Sequence, residues 1–244
     1  MNLRILVGVC GFPSRLGELE KVLDAVEVQK TFYNPPRVET AERWRKQAPG
    51  LTFTVKAWQL ITHPASSPTY RKLPKAIREG LDPSEVGFFR PTRRVMEALE
   101  KTMEIARALD ARVVVFQTPA SFRQKEENLR NMFAFFRNAD REGRIFGWEP
   151  RGDWSPEVVR RVCEELGLVH IVDPFKGEHL HGDIAYFRLH GIGGYRYKYG
   201  EEELRSLAQK VKGIGKDSYV MFNNTEMLDD AVRFRKILLM RSPS

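Results

Sequence analysis

Glu27, Lys56, Gln117, Glu149, Arg151, Asp173, Arg188, His190 and Asn223 are spread over almost the whole chain. Each nevertheless stands at, or within a residue or two of, the end of a short apolar run. Carboxylates and an imidazole move protons, while lysine and arginine hold anions through charge-assisted hydrogen bonds. Brought to one place, these residue types make an acid–base centre for a phosphorylated or other anionic substrate. Glu27, Glu149, Asp173 and His190 are the candidates for proton transfer. Lys56, Gln117, Arg151, Arg188, Asn223 and Asn224 are the candidates for holding the substrate.

The same set admits other readings. Like carboxylates close together and partly buried would raise the pKa of at least one acid toward its working range. Alternatively, the charges satisfy one another as a buried ion-pair network. A divalent metal among Glu27, Glu149, Asp173 and His190 is a further reading, since these ligand types suit magnesium, manganese or zinc. The neighbouring Lys56 and arginines oppose it by repelling a cation.

After His190 comes Gly191-Ile192-Gly193-Gly194-Tyr195-Arg196-Tyr197-Lys198-Tyr199-Gly200. Backbone N–H groups at Gly191, Gly193 and Gly194 are expected to cradle an oxyanion, because glycines let successive amides turn toward a ligand. The interleaved tyrosines and cations also suit base stacking along a nucleic-acid strand. His179-Leu180-His181-Gly182-Asp183 has ligand-like spacing, but reads as a solvated loop. Cys10 reads as a small buried hydrophobe rather than a nucleophile, as no base can be assigned beside it.

What must position these residues is a ring of strands. The apolar runs finish at Cys10, Gln29 to Thr31, Lys56, Gln117, Glu149, Asp173, His190 and Asn223. Side chains alternate across a strand, so parity decides which of them share a face. The odd positions of Val26 to Thr31 are polar, as are the even positions of Thr52 to Lys56. Val113 and Val115 share parity with Gln117, Val169 and Ile171 with Asp173, and Arg188 with His190. Polar residues topping inward rows on strand after strand are the signature of the active-site end of a (β/α)8 barrel.

Between the runs lie helical stripes. Val95, Leu99, Met103, Ala106 and Leu109 form one; Val158, Val159, Val162, Cys163 and Leu166 form another, with Ser155 as N-cap, Pro156 at the first helical position and Gly167 just past the end. Leu204 to Val211 and Leu228 to Leu239 read as the last two helices. The link from Asp173 to Asp183 is too short for a full helix, so the sixth is rudimentary. Ile61 to Pro91 is rich in proline and lacks a sustained period. It reads as a long loop after strand 3 that hangs over the polar end as a lid or binding loop. The competing doubly wound sheet would need a glycine-rich fingerprint, and Gly8-Val9-Cys10-Gly11 does not supply one.

The 244 residues suit one barrel domain spanning 1–244. No stretch approaches the length of a spanning helix and the first strand starts near the N-terminus, which points to a cytoplasmic protein without membrane contact. Two cysteines make no disulfide framework, so both are expected as thiols. A net charge of +8 favours anionic partners.

Six segments, in order, resemble the YecE-like family, barrel proteins catalogued as domain of unknown function 72. They are Val26 to Tyr33, Phe53 to Ala57 with Ile61-Thr62-His63, Val115 to Pro119, Glu149 to Trp154, Tyr186 to Gly191, and Phe222-Asn223-Asn224. The chain departs from the family at Gln29-Lys30, where a small Asn-Ser pair is usual, and at Gly11-Phe12-Pro13-Ser14 in place of Gly-Trp-Ser-Tyr. The resemblance implies a TIM-type α/β barrel and brings no established reaction. From the residues, the leading expectation is acid–base or metal-assisted phosphoester cleavage on a small anionic substrate or a nucleic acid. Sugar or sugar-phosphate isomerisation and non-catalytic binding of a nucleic acid or metabolite are the alternatives.

Overall fold

Runs that alternate in parity but stay apolar on both faces fold here as strands, because a barrel wall buries one row along its axis and the other under helices. The computed structural model describes residues 3–240. Its strands are β1 (Ile5–Cys10), β2 (Ala25–Val28), β3 (Thr52–Lys56), β4 (Val113–Gln117), β5 (Ile145–Glu149), β6 (Val169–Val172), β7 (Ala185–Leu189) and β8 (Ser218–Phe222). Each pairs in parallel with the next, and β8 closes on β1 with Ile5 opposite Ser218 and Val9 opposite Phe222. The fold is a TIM-type α/β barrel.

The helices are α1 (Leu16–Val22), α2 (Lys30–Tyr33), α3 (Val38–Gln47), α4 (Gln59–Thr62), α5 (Lys75–Glu79), α6 (Arg93–Ala108), α7 (Glu126–Asn138), α8 (Pro156–Leu166), α9 (Glu201–Gly213) and α10 (Met227–Leu239). The start of α8 follows the sequence cues: the Ser155 hydroxyl accepts from Val158 N, and Gly167 takes the left-handed conformation at φ 56° that ends the helix. No helix among the described residues is long and apolar enough to cross a membrane.

The core has two layers. Val26, Val28, Val114, Phe116, Phe187 and Val220 point outward under the helices, while Val113, Val115, Val169, Ile171, Tyr186 and Met221 fill the axis. Cys10 and Cys163 are buried free thiols. The link from β6 to β7 carries no helix, as its length requires.

The connection after β3 differs from the open loop expected of it. It folds into short helical turns and is tied down by a ladder: Gly87 N donates to Leu60 O at 2.7 Å and Phe89 N to Ile61 O at 2.9 Å. The Tyr70 hydroxyl donates to His63 O at 2.8 Å. Phe89 is fully buried among Phe116, Phe122, Phe135 and Phe136. The prolines break helical periodicity without freeing the segment, because buried aromatics anchor it.

Two inward glycines make the axis passable. A Cβ at Gly8 would stand 2.4 Å from Ala25 O and 2.8 Å from Met221 Cε, and one at Gly147 would meet Ile171 Cδ1 at 2.5 Å. The obstacle at Gly8 is backbone, so it cannot swing aside. Gly8→Ala is therefore expected to cost about 1–3 kcal/mol by overpacking. A lower denaturant midpoint with an unchanged slope is the expected readout, and a midpoint equal to wild type would refute the clash.

Candidate active site at the C-terminal mouth of the barrel

The central polar group is Arg188 on β7, which is fully buried. Its Nε donates to Glu27 Oε2 at 3.1 Å and its Nη2 to Glu27 Oε1 at 2.8 Å. Nη1 donates to Glu149 Oε2 and, at 3.0 Å, to Gln117 Oε1. One guanidinium thus bridges β2, β4 and β5 with its planar fork. The Tyr186 hydroxyl donates to Glu27 Oε2 at 2.8 Å and is joined at 2.9 Å by the Thr54 hydroxyl. Gln29 Nε2 donates to Glu27 Oε1.

Burial alone would raise the pKa of Glu149. The charges of Arg188 and Arg151, reinforced by the neighbouring His190, override it and hold the carboxyl well below the usual carboxylate range. The expectation that crowded carboxylates would raise an acid's pKa thus fails for Glu149, because a guanidinium lies between the two acids.

Above this layer the site opens. Arg151 keeps 29% of its side chain exposed and His190 14%, against 3% for Glu149. Arg151 Nη2 lies 2.7 Å from Glu149 Oε1, and His190 Nε2 lies 3.1 Å from the same oxygen. Arg151 Nη2 also contacts His190 Nε2. The side-chain amide of Asn223 is 3.0 Å from His190 Nδ1, fixing the ring from its other edge. Burial lowers the pKa of His190, Glu149 opposes the shift, and Arg188 and Arg151 reinforce it. The imidazole is neutral at pH 7 and available as a base.

Lys56 ends the inward row of β3. Its ammonium stands 3.9 Å over the Phe32 ring and, among the described residues, forms no ion pair and no hydrogen bond. Thr31 fixes the backbone beneath it by donating to Lys56 O at 2.6 Å. Burial, reinforced by Arg188 and opposed by Glu27 and Glu149, brings its pKa down to about 7.

Other residues picked from the sequence lie elsewhere or are already occupied. Asp173 accepts from His190 N at 3.0 Å and from Phe175 N at 3.1 Å, so it clamps the ends of β6 and β7 instead of moving protons. Glu27 and Arg188 lie beneath the opening, out of reach of a substrate. Gly191 N donates to the Tyr199 hydroxyl at 2.8 Å and Gly194 N to Gly191 O at 3.3 Å. Of the three glycine amides expected to cradle an oxyanion, these two are spent within the loop, leaving Gly193. Asn224 points away from the mouth and donates to Tyr197 O and Asp230 Oδ2, both at 2.7 Å. Cys10 is a buried thiol 3.8 Å from Arg188 Nη2, its pKa raised by burial and Glu27.

The metal reading does not fit this donor set. Among the described residues no three His, Cys, Asp or Glu side chains converge on a cation position. Arg188 fills the space between Glu27 and Glu149, and Asp173 faces backbone amides.

Sequence reasoning missed Tyr186 and Gln29 as partners of Glu27, and His170 and Trp154 beside the mouth. Tyr186 was findable, since it shares the inward parity of Arg188. His170 faces outward on β6 and carries no such signal.

A family model described as "Protein of unknown function DUF72" matches residues 10–242. A search of the curated proteins finds no match. Among solved structures, a DUF72 family protein from Enterococcus faecalis V583 is 19% identical with a TM-score of 0.73, covering 98% of this chain and 99% of that one. One from Thermotoga maritima MSB8 is 23% identical with a TM-score of 0.66, covering 97% and 100%. A xylose isomerase domain containing protein from Salmonella typhimurium LT2 is 14% identical with a TM-score of 0.61, covering 98% and 100%. At these identities the likeness shows the fold.

Removing Arg188 would strand two buried carboxylates. Arg188→Met is expected to destabilise by about 3–5 kcal/mol. Changing both Glu27 and Glu149 to Gln in that background should recover part of the loss in a denaturant melt; no recovery would show that Arg188 acts through its packing instead.

Lys56 has a folded pKa below its unfolded one, so the unfolded chain binds more protons between about pH 7 and pH 10.5. Stability then rises with pH across that window. Lys56→Met removes the penalty of a buried ammonium. Its gain in Tm over wild type should be largest at pH 6 and shrink by pH 10, whereas a gain independent of pH would contradict the shift.

Proposed function

Since the chain belongs to the DUF72 family, whose function is unknown, its activity has to be argued from its own site, and we propose an acid–base enzyme acting on a phosphorylated or otherwise anionic substrate. Arg151 and Lys56 hold the anion, and His190 transfers the proton. The observation that carries this reading is the placement of His190: a neutral imidazole at the open rim, steadied by Asn223 and Glu149, with a guanidinium against the same ring nitrogen.

Phosphoester cleavage is the reaction this arrangement supports best. A phosphate lying on the exposed edge of Arg151 draws the guanidinium off His190 Nε2 and brings the attacking hydroxyl or water to that nitrogen, which accepts the proton as the oxygen–phosphorus bond forms. Lys56 in its ammonium form returns a proton to the departing oxygen as the old bond breaks. Charge building on the phosphoryl oxygens faces Arg151. Glu149 stays ionised and stabilises the imidazolium.

A second reading is favoured by the near-neutral amine of Lys56 facing the same mouth as His190. Two such proton carriers also suit transfer beside a carbonyl, as in isomerisation of a sugar phosphate.

Thermal shift with inorganic phosphate and sugar phosphates tests the anion site, because a ligand of the native form raises Tm. Wild type should respond and the Lys56→Ala/Arg151→Ala double variant should not. His190→Ala should keep the shift and lose roughly 10²–10⁴-fold in turnover over a panel of phosphomonoesters, phosphodiesters and sugar phosphates. Phosphate that leaves the wild-type Tm unchanged would sink the assignment. Binding with no turnover across the panel would make the protein a binder.

A further inference from the structure

The missing helix between β6 and β7 leaves part of the outer wall uncovered. A cavity of about 570 Å³ occupies that place, within the ~300–1,000 Å³ usual for small-ligand sites. Pro150, Trp154, Val159 and Leu180 form apolar walls, and His170 projects from the wall of β6. Glu149 and Arg151 line the same cavity, so it is continuous with the mouth.

Its neutral donor, His170, is fixed. His170 Nδ1 accepts from Leu180 N at 3.2 Å, which leaves the proton on Nε2. Burial holds the ring neutral, its pKa down at about 4, so the donor persists at all working pH values. The Nε–H of Arg151 is buried and has no partner. Trp154 is held as a flat wall, donating from Nε1 to Phe122 O at 2.8 Å and packing edge-on against Trp148.

A helix in this position would bury an aliphatic stripe. The chain instead offers a rigid indole, a neutral N–H donor and a half-open slot leading to Arg151. We propose that the cavity is the subsite for the flat, acceptor-bearing end of the substrate, a nucleobase or similar heteroaromatic ring, with the phosphate of the same molecule on Arg151. This rests on the reading of Arg151 as an anion partner and adds the ligand class: a nucleotide, free or at the end of a strand.

Calorimetry on the intact chain separates the parts, using inorganic phosphate, ribose 5-phosphate, nucleosides, nucleoside 5′-monophosphates and a trinucleotide as probes. Base stacking on aromatic walls predicts that the best monophosphate binds at least tenfold tighter than ribose 5-phosphate. Leu180→Trp, which fills the slot from a half-buried position, should abolish that preference and leave phosphate affinity unchanged. His170→Phe keeps the ring and should lose threefold or more for bases with a carbonyl or ring-nitrogen acceptor. Melting curves confirm that both variants fold.

Equal affinity for ribose 5-phosphate and every monophosphate would overturn the proposal, as would a preference that survives Leu180→Trp. Nucleosides that bind while both simple phosphates fail would uphold the cavity and refute the anion site. Given the preference, a trinucleotide no tighter than a monophosphate assigns the slot to a free nucleotide, and a tighter one assigns it to a strand end.

Discussion

A single guanidinium on the barrel axis organises this molecule. Arg188 has no access to water, and its charge is answered by Glu27 on one side and Glu149 on the other. The triad ties β2, β5 and β7 together, with Gln117 adding β4. It also decides which oxygens are already taken. Glu27 has both oxygens engaged below the opening, while Glu149 turns one oxygen toward Arg151 and His190. The groups left open to solvent are thereby those above the acids, Arg151 and His190.

Small side chains set the geometry that brings these groups together. Gly8 and Gly147 give up side chains where the axis narrows, and the polar layer sits on top of that packing. Outside, Phe89 carries the connection after β3 into the same phenylalanine cluster as β4 and α7. Lys56 and its Phe32 floor lie between the strand and this anchored segment, with His63 edge-on to Phe32 at 4.8 Å. A segment that looks loose by composition is part of the site's foundation.

The barrel was legible because parallel strands repeat one constraint many times: parity, apolar faces and polar ends agree at every strand. The convergence of Glu27, Lys56, Gln117, Glu149, Arg151, Arg188, His190 and Asn223 followed from that geometry alone. Roles within the cluster were less legible, since they depend on depth and on partners. Nothing in the order of residues shows that Arg188 is sealed while Arg151 is open, or that Asp173 meets a backbone amide. The glycines after His190 read as an anion cradle because composition reveals conformational freedom but not where each amide points. Gly191 is needed for a tight approach instead, as a Cβ there would lie 2.1 Å from Gly194 O.

The bare stretch of wall at β6 has a consequence for how the molecule breathes. This strand is held by two residue pairs on each side, Gly147–Val169 and Trp148–His170 toward β5, Ile171–Tyr186 and Val172–Phe187 toward β7. With the fewest registered pairs of the eight strands and no helix following it, this strand is the one whose local opening breaks the fewest rungs. Give in this one stave would fall beside Arg151 and His190, while the charged pin on the axis, fastened to β2, β4, β5 and β7, does not depend on it.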